Sequence, residues 1–335
     1  MKKLMMLLAL TLPALFLLTV HGRDGREEPQ NRVVVIAIDG LRWQELYQGA
    51  HRDSLMPFVW QMGRNRGAML GNRNRKNRME VANGIWKSYA GYSEMLCGTT
   101  DDRRIHDNRK QQNPNHSVLE MAETCPEYHG RVKAVASWDV IPYILGVKRS
   151  HLPVDWQSEH RVSKQVRCDS VTARHAIDVL GQEHPKLLFV EFCETDYFAH
   201  NGQWHGYLGA ARRCDLFIRQ LWQYCQQDEF YRGKTTFLIT CDHGRGESLG
   251  AHYNRGEVDS SASWTEHNHH VRGSNQTWLV AFGNGVQHLG EVEGGRTVYT
   301  SQVAPTVARI LHMPFTTGKV EKPAQPIYTI LNKNI

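Results

Sequence analysis

The stretch Leu187–His200, LLFVEFCETDYFAH, decides the fold. Its first six residues form an apolar-rich run of the kind that is buried on both faces of a sheet. Asp196 and His200 come soon after, four residues apart. On a helix the two would share a face. That spacing suits an i,i+4 ion pair, and it suits two ligands of one metal ion equally well. The rest of the chain has to separate the two readings.

Four more runs share the character of LLFVEF: VVVIAI (33–38), VKAVAS (132–137), TTFLITC (235–241) and WLVAF (278–282). All five are expected to be buried parallel strands. Helical patterns lie between them. SVLEMAE starts at Ser117, an expected N-cap with Glu120 three residues on. DSVTARHAIDVLGQ starts at Asp169. GYLGAARRCDLFIRQLWQYCQQ places Leu208, Ala211, Cys214, Ile218, Leu221 and Cys225 on one stripe. Strands alternating with helices predict an α/β fold with a mainly parallel sheet. No repeat or linker interrupts the chain, so residues 31–335 are expected to form a single domain.

The residues just past the strands carry the chemistry. Asp39 comes after the first run, Asp196 and His200 after LLFVEF, and Asp242 and His243 after TTFLITC. Trp138 and Asp139 come after VKAVAS. Open α/β sheets collect ligands at the carboxyl ends of their strands. Three strands thus bring Asp, or Asp with His, to one edge. Imidazole and carboxylate together suit zinc and similar dications. Five such groups exceed the needs of one tetrahedral ion, and two ions use them better. A further ligand is expected from WTEHNHHVRG, which offers His267, His269 and His270, with His252 in the same loop.

A hydrolase of this design needs a nucleophile. NGIWKSYAGYSEMLCG (83–98) holds Ser88 and Ser93. A helix beginning after Gly91 would leave Ser88 just ahead of an N-terminus that favours anions. Metal coordination would lower the pKa of the hydroxyl.

The chain resembles the alkaline phosphatase superfamily, and especially its type I phosphodiesterase and nucleotide pyrophosphatase branch. The matching segments are AIDGLRW with Asp39, KSYAGY with Ser88 in the nucleophile position, DYFAH, CDHGRG and the block HNHHVRGSNQTWLVAFG. Ala90 and Gly91 stand where that branch usually has Pro and Asn. The resemblance spans about residues 33–312. It implies an alkaline-phosphatase-like three-layer sandwich, with a mainly parallel central sheet and helices on both faces. It also implies two divalent ions, most simply Zn2+. Asp196, His200 and His267 would hold one; Asp39, Asp242, His243 and the Ser88 oxygen would hold the other. Ser88 would attack phosphorus to give a phosphoserine. Asn108, in IHDN, resembles the Asn that donates to a phosphoryl oxygen.

The implied substrate is a small phosphorylated molecule, a diester, a pyrophosphate or a monoester. A sulfatase or a phosphonate hydrolase of the same superfamily is the rival; for the sulfatase, SYAGY lacks the Pro and Arg of the C/S-x-P-x-R signature. Between Ser88 and Asp196 lie 107 residues (195 − 88), which leaves little room for the second domain of a phosphomutase. A catalytically inactive binding protein of the same fold is the non-enzyme alternative.

Composition sets the outer bounds. The chain has 335 residues, with 41% hydrophobic and 22% charged, and reads as globular. MKKLMMLLALTLPALFLLTVHG has a basic start and an apolar stretch from Leu4 to Val20. Residues 1–22 are therefore expected to be a signal peptide cleaved near Gly22, with the product periplasmic or secreted and without a stable membrane anchor. Losing Lys2 and Lys3 lowers the net charge from +6 to +4. That mild excess does not mark a nucleic-acid binder. The segment 64–78, RNRGAMLGNRNRKNR, has six basic residues and no acid, but no interleaved aromatics for base stacking. It reads as a solvated loop or a feature that attracts phosphate-rich substrates. Lys87, Arg245 and Arg42 flank the motifs. Trp138 and Tyr143 are candidates for a pocket wall or for the core. Seven cysteines without CxxC spacing leave at least one thiol free.

Overall fold

The first strand, β1 (Arg32–Ile38), is buried along its whole length, and its side chains alternate between two separate cores. Val33, Val35 and Ala37 point into one; Val34, Ile36 and Ile38 point into the other. Apolar residues on both faces require cover on both faces, so the sheet is the middle of three layers. The computed structural model describes residues 31–48, 53–249, 262–317 and 323–335. The expected signal peptide and His252 lie outside these residues.

The described strands after β1 are β2 (Gly67–Leu70), β3 (Met79–Glu80), β4 (Val132–Ala136), β5 (Val154–Asp155), β6 (Leu187–Phe192), β7 (Thr235–Thr240), β8 (Gln276–Thr277), β9 (Leu279–Gly283), β10 (Gly290–Glu291) and β11 (Val298–Tyr299). The helices are α1 (Trp43–Tyr47), α2 (Pro57–Arg66), α3 (Ser88–Cys97), α4 (Val118–Thr124), α5 (Ile141–Ile144), α6 (Val147–Ser150), α7 (Asp169–Glu183), α8 (Glu194–His200), α9 (Trp204–Gln227) and α10 (Val303–Ile310). Eight strands form one sheet in the order β10-β2-β9-β7-β1-β6-β4-β5, and β11-β3-β8 form a small second sheet.

β1 sits between β6 and β7 and is parallel to both; Val35 lies opposite Phe189 on one side and Leu238 on the other. The strands that precede Asp39, Asp196 and Asp242 are therefore immediate neighbours with their carboxyl ends on the same edge. β4 extends the parallel block beyond β6. The fifth expected strand differs from expectation. β9 runs antiparallel to β7, with Leu279 opposite Thr240. The last residue of β7 pairs with the first of β9, so the chain re-enters the sheet from the edge it left. Among the described residues no crossover helix lies between them to reverse the direction.

One core packs α3, α4, α5 and α10 against the sheet, and the other packs α1, α2, α7 and α9. Leu208, Ala211, Cys214, Ile218, Leu221 and Cys225 of α9 are all buried, as the stripe predicts. Each large aliphatic side chain on such a stripe contributes about 1.5–3 kcal/mol. Ser117 caps α4 by accepting from the Glu120 N–H at 3.1 Å. The Glu120 carboxylate instead pairs with Arg149, so only half of a capping box is built. All seven cysteines are free thiols. No described helix is long and apolar enough to cross a membrane.

Candidate active site

Asp39 continues β1 by one more backbone bond, its N–H donating to Phe192 O at 2.9 Å. Gly40 then turns the chain at φ +61°, and its N–H donates to Asp242 Oδ1 at 3.1 Å. A Cβ at Gly40 would stand 3.0 Å from Asp196 Oδ1 and 2.9 Å from Arg245 Nε, so the turn has no space for a side chain. Thr195 Oγ1 donates to the Asp39 carbonyl at 2.6 Å and ties α8 to the end of β1. All three strand ends are thereby fixed to one another by hydrogen bonds.

His243 lies at the centre. Its Nδ1 is 2.8 Å from Gly244 O, which makes Nδ1 the protonated nitrogen and leaves Nε2 as an acceptor. Nε2 lies 3.1 Å from Ser88 Oγ, 3.4 Å from Asp39 Oδ1 and 3.3 Å from Asp242 Oδ2. The His267 ring stacks on that of His243 with centroids 3.7 Å apart. His267 Nδ1 is 3.1 Å from Trp86 O, so its Nε2 is also free to accept. That Nε2 is 3.0 Å from His200 Nε2 and 3.7 Å from Asp196 Oδ1. His200 Nε2 is 3.4 Å from Asp196 Oδ2. Asp196, His200 and His267 thus form one group; Asp39, Asp242, His243 and Ser88 form a second, joined to the first by the stacked imidazoles. His267 is buried, whereas His269 and His270 are exposed and contact each other.

Ser88 does not stand ahead of its helix, as expected from a start after Gly91. It is the first residue of α3, with Lys87 as the N-cap. Gly91 breaks nothing: its N–H donates to Lys87 O at 2.9 Å. Its function is clearance. A Cβ there would come within 2.3 Å of Asp242 O, so glycine lets the helix that carries Ser88 touch the backbone of Asp242. The preceding turn is held by Asn83 Oδ1, which accepts from the N–H groups of Ile85 and Trp86. Trp86 has φ +54°, an uncommon value for a bulky residue. Asn108 Oδ1 accepts from the Tyr89 N–H at 3.0 Å, and among the described residues its amide donors show no hydrogen bond. Asn108, Ser88, Asp39, Asp196 and His200 share a cavity of ≈ 250 Å³, walled further by Trp138, Tyr197 and the loop residues Ser163, Gln165 and Val166. Trp138 serves both the pocket and the core. Tyr143 does not line this cavity.

The charges fit cations. Asp39 Oδ1 and Asp242 Oδ2 are buried and have no hydrogen-bond partner among the described residues. Burial, reinforced by neighbouring carboxylates, pushes the pKa values of both Asp39 and Asp242 well up. Burial pushes His243 down to about 3, and it lowers His267 and His200 as well. Burial would raise Asp196, but Arg245 and then the nearby histidines hold it below the usual carboxylate range. Uncompensated carboxylate oxygens beside neutral imidazoles are the state in which a dication binds best.

Several residues of the site escaped the sequence reading. Glu191 and Cys193 place ligand atoms within 4.8 Å of Asp39 and of each other. Glu191 was detectable as the lone acid inside an apolar strand. Tyr92 OH donates to Asp39 Oδ2 at 3.3 Å, one turn after Ser88. The loop residues 163–166 carry no sequence signal beyond polarity. Lys87 is half-buried at the helix start, and Arg42 is buried against Glu45 and Gly246 O rather than facing the cavity.

Several solved structures share the shape of this chain. The alkaline phosphatase PafA superposes with a TM-score of 0.63 at 12% identity, covering 91% of this chain and 99% of its own. Murine ectonucleotide pyrophosphatase/phosphodiesterase 5, solved as an inactive variant with AMP, gives 0.58 at 12% identity, covering 90% and 100%. A 2-O GAG sulfatase gives 0.59 at 10% identity, covering 89% and 74%. These likenesses establish the alkaline-phosphatase-like fold. No curated protein matches the chain in sequence. The family profile described as type I phosphodiesterase/nucleotide pyrophosphatase matches residues 66–260, more than half of the chain. That range contains Ser88, Asn108, Asp196, His200, Asp242 and His243, and Asp39 and His267 flank it. The chain belongs to the type I phosphodiesterase/nucleotide pyrophosphatase family.

Proposed function

We propose that this chain is an exported hydrolase of small phosphate esters that uses two divalent ions and a phosphoserine formed on Ser88. The observation that carries the reading is the approach of His200 Nε2 to His267 Nε2 at 3.0 Å. With His267 Nδ1 committed to Trp86 O, its Nε2 lone pair faces the other ring. A cation within reach of both nitrogens and of Asp196 would replace the single N–H···N hydrogen bond that two neutral imidazoles can form at this distance. Asp196, His200 and His267 would hold one ion; Asp39, Asp242, His243 and Ser88 Oγ would hold the other. The donor set of carboxylate and imidazole suits Zn2+. Bound dications would supply Lewis acidity to the phosphoryl group and acidify the serine hydroxyl.

The remaining chemistry belongs to the chain. Ser88 Oγ, fixed as the first residue of α3, attacks phosphorus as the alcohol or phosphate leaving group departs. Water then cleaves the phosphoserine and restores the hydroxyl. Asn108, with its oxygen held by Tyr89, has its amide N–H groups left to donate to a phosphoryl oxygen. The cavity floor at Asp39, Ser88 and Cys193 is buried, whereas Asn108, Gln165 and His200 at its rim are exposed.

A small phosphorylated substrate fits the cavity of ≈ 250 Å³. Nucleic acid is disfavoured, because part of the basic segment is already paired. Arg73 meets Glu80 at 2.8 Å, and Arg75 meets Glu291 and Glu293 at 3.5 and 3.6 Å. Residues 1–22 are read as a cleaved leader and 31–335 as a single domain, which makes the product periplasmic or secreted.

The test combines metal analysis with hydrolysis of a chromogenic monoester, diester and sulfate ester, alongside Ser88→Ala. Bound dication and phosphoester hydrolysis lost in Ser88→Ala are expected. Full activity in Ser88→Ala removes Ser88 as the nucleophile, and faster turnover of the sulfate ester makes the protein a sulfatase.

A further inference from the structure

Arg245 makes the two halves of the site unequal in charge. Its guanidinium is fully buried. Nη2 is ion-paired with Asp196 Oδ1, and Nη1 donates to Thr265 O at 2.6 Å. An arginine keeps its charge in any such environment. With its carboxylate ionised, as ion binding requires, the Asp196–His200–His267 half therefore has no net charge: one carboxylate, one guanidinium and neutral imidazoles. Arg245 also occupies one of the two Asp196 oxygens and leaves Oδ2 facing His200 at 3.4 Å.

The Asp39–Asp242–His243 half is different. It has two carboxylates, each with a buried oxygen that has no hydrogen-bond partner among the described residues, and Glu191, near Asp39, has an equally unpartnered Oε1. Among the described residues no Lys or Arg forms an ion pair with Asp39 or Asp242. We propose that the two ion sites differ in affinity by about tenfold or more. The Asp39–Asp242–His243 site is the tight one, and the Asp196–His200–His267 site is weak and exchangeable. Arg245 is the positioning residue that sets the difference.

Two effects of Arg245 compete. Outer-shell donors that orient a ligand ordinarily raise metal affinity. A fixed positive charge next to the ligand opposes a dication, and the opposition is strong where water is excluded. Asp196 is already oriented by its place on α8, one residue after Thr195 is tied to Asp39 O, so the charge effect dominates. One half of the enzyme would then fill with ambient metal while the other stays loaded.

The inference rests on the two-ion reading, and its test separates the two. Protein stripped with a chelator is titrated with Zn2+ in competition with a chromophoric chelator. Two unequal constants are expected, with the weak one lost in Asp196→Asn and the tight one lost in Asp242→Asn. Arg245→Met should tighten the weak site about tenfold or more, while Arg245→Lys, which keeps the charge, should not. Equal constants, loss of the tight constant in Asp196→Asn, or an Arg245→Met weak site that is unchanged or weaker overturns the inference and leaves two ions standing. Failure of the wild-type protein to bind any ion removes the two-ion reading itself. Circular dichroism reports whether Arg245→Met folds; if it does not, the two aspartate variants decide.

Discussion

His267 Nδ1 lies 3.1 Å from the carbonyl oxygen of Trp86, two residues before Ser88. This bond links His267 to the turn that presents Ser88. The link uses backbone, so it survives a change of side chain provided that residue 86 keeps φ near +54°. Trp86→Gly should therefore retain kcat within about tenfold, because glycine adopts that φ freely. Trp86→Val should lose more, since a β-branched residue there costs roughly 1–2 kcal/mol of strain. Comparable kcat values for the two variants would show that the backbone conformation at 86 is unimportant.

The same bond distinguishes three histidines that sequence alone leaves open. His267 is buried within the group that contains Asp196, whereas His269 and His270 are exposed. His267→Ala should lower kcat on a phosphodiester by about 10²-fold or more and release bound metal. His269→Ala and His270→Ala should change kcat by no more than about twofold. A larger loss at either of the latter positions would shift the ligand assignment.

Much of this site is legible because a parallel sheet has few ways to place its strand ends. Once VVVIAI, LLFVEF and TTFLITC are read as strands, Asp39, Asp196 and Asp242 must meet at the carboxyl edge if the strands are neighbours, and they are. The parts that escape depend on contacts distant in sequence. Gly91 reads as the residue before a helix start, but its role is set by the Asp242 carbonyl that it lies against. WLVAF has the composition of a parallel strand, and only its pairing with β7 fixes its direction. Arg245 flanks the motifs in sequence and reads equally as a substrate grip, a support behind a site residue or a surface charge; only the folded chain shows it buried against Asp196.

Ser88 and Asp196 should separate the two chemical steps. Ser88 Oγ adjoins His243, whereas Asp196 belongs to the other half of the site. Ser88→Ala should lose both steps. Asp196→Ala should slow cleavage of the phosphoserine more than its formation, so intact-mass analysis after a short reaction should detect one added phosphate on the protein. A fully active Asp196→Ala would return Asp196 and His200 to the status of an ordinary ion pair.

Gly91→Ala tests whether α3 must touch Asp242. The added Cβ would fall 2.3 Å from a backbone oxygen, which no side-chain rotation relieves. Helix α3 or Asp242 has to move. Overpacking of this kind costs about 1–3 kcal/mol in denaturant unfolding. The displacement also separates Ser88 from His243, so kcat should fall together with stability. Unchanged stability and kcat would mean that the contact is loose.

The ion-stripped protein should lose stability as pH rises from about 6.5 through about 8. Burial pushes the pKa values of Asp39 and Asp242 well up, Asp169 to about 8 and Glu191 to about 7. For an acid with a raised native pKa, the stabilising contribution is complete below the unfolded value and is lost as pH climbs through the native one. The histidines act in the opposite sense. Burial pushes His243 down to about 3 and lowers His267 and His200, so their contribution is present above about 6.5 and is lost as pH falls. Below about 6.5 the two sets oppose each other, and above it only the acids still titrate. Bound dications reverse the outcome by favouring ionised Asp39 and Asp242, so loading should release protons and flatten the curve between about 6.5 and 8. Melting temperatures with and without EDTA should therefore diverge by several degrees toward pH 8. An ion-stripped protein whose melting temperature is level or rising across that interval would contradict the carboxylate assignment.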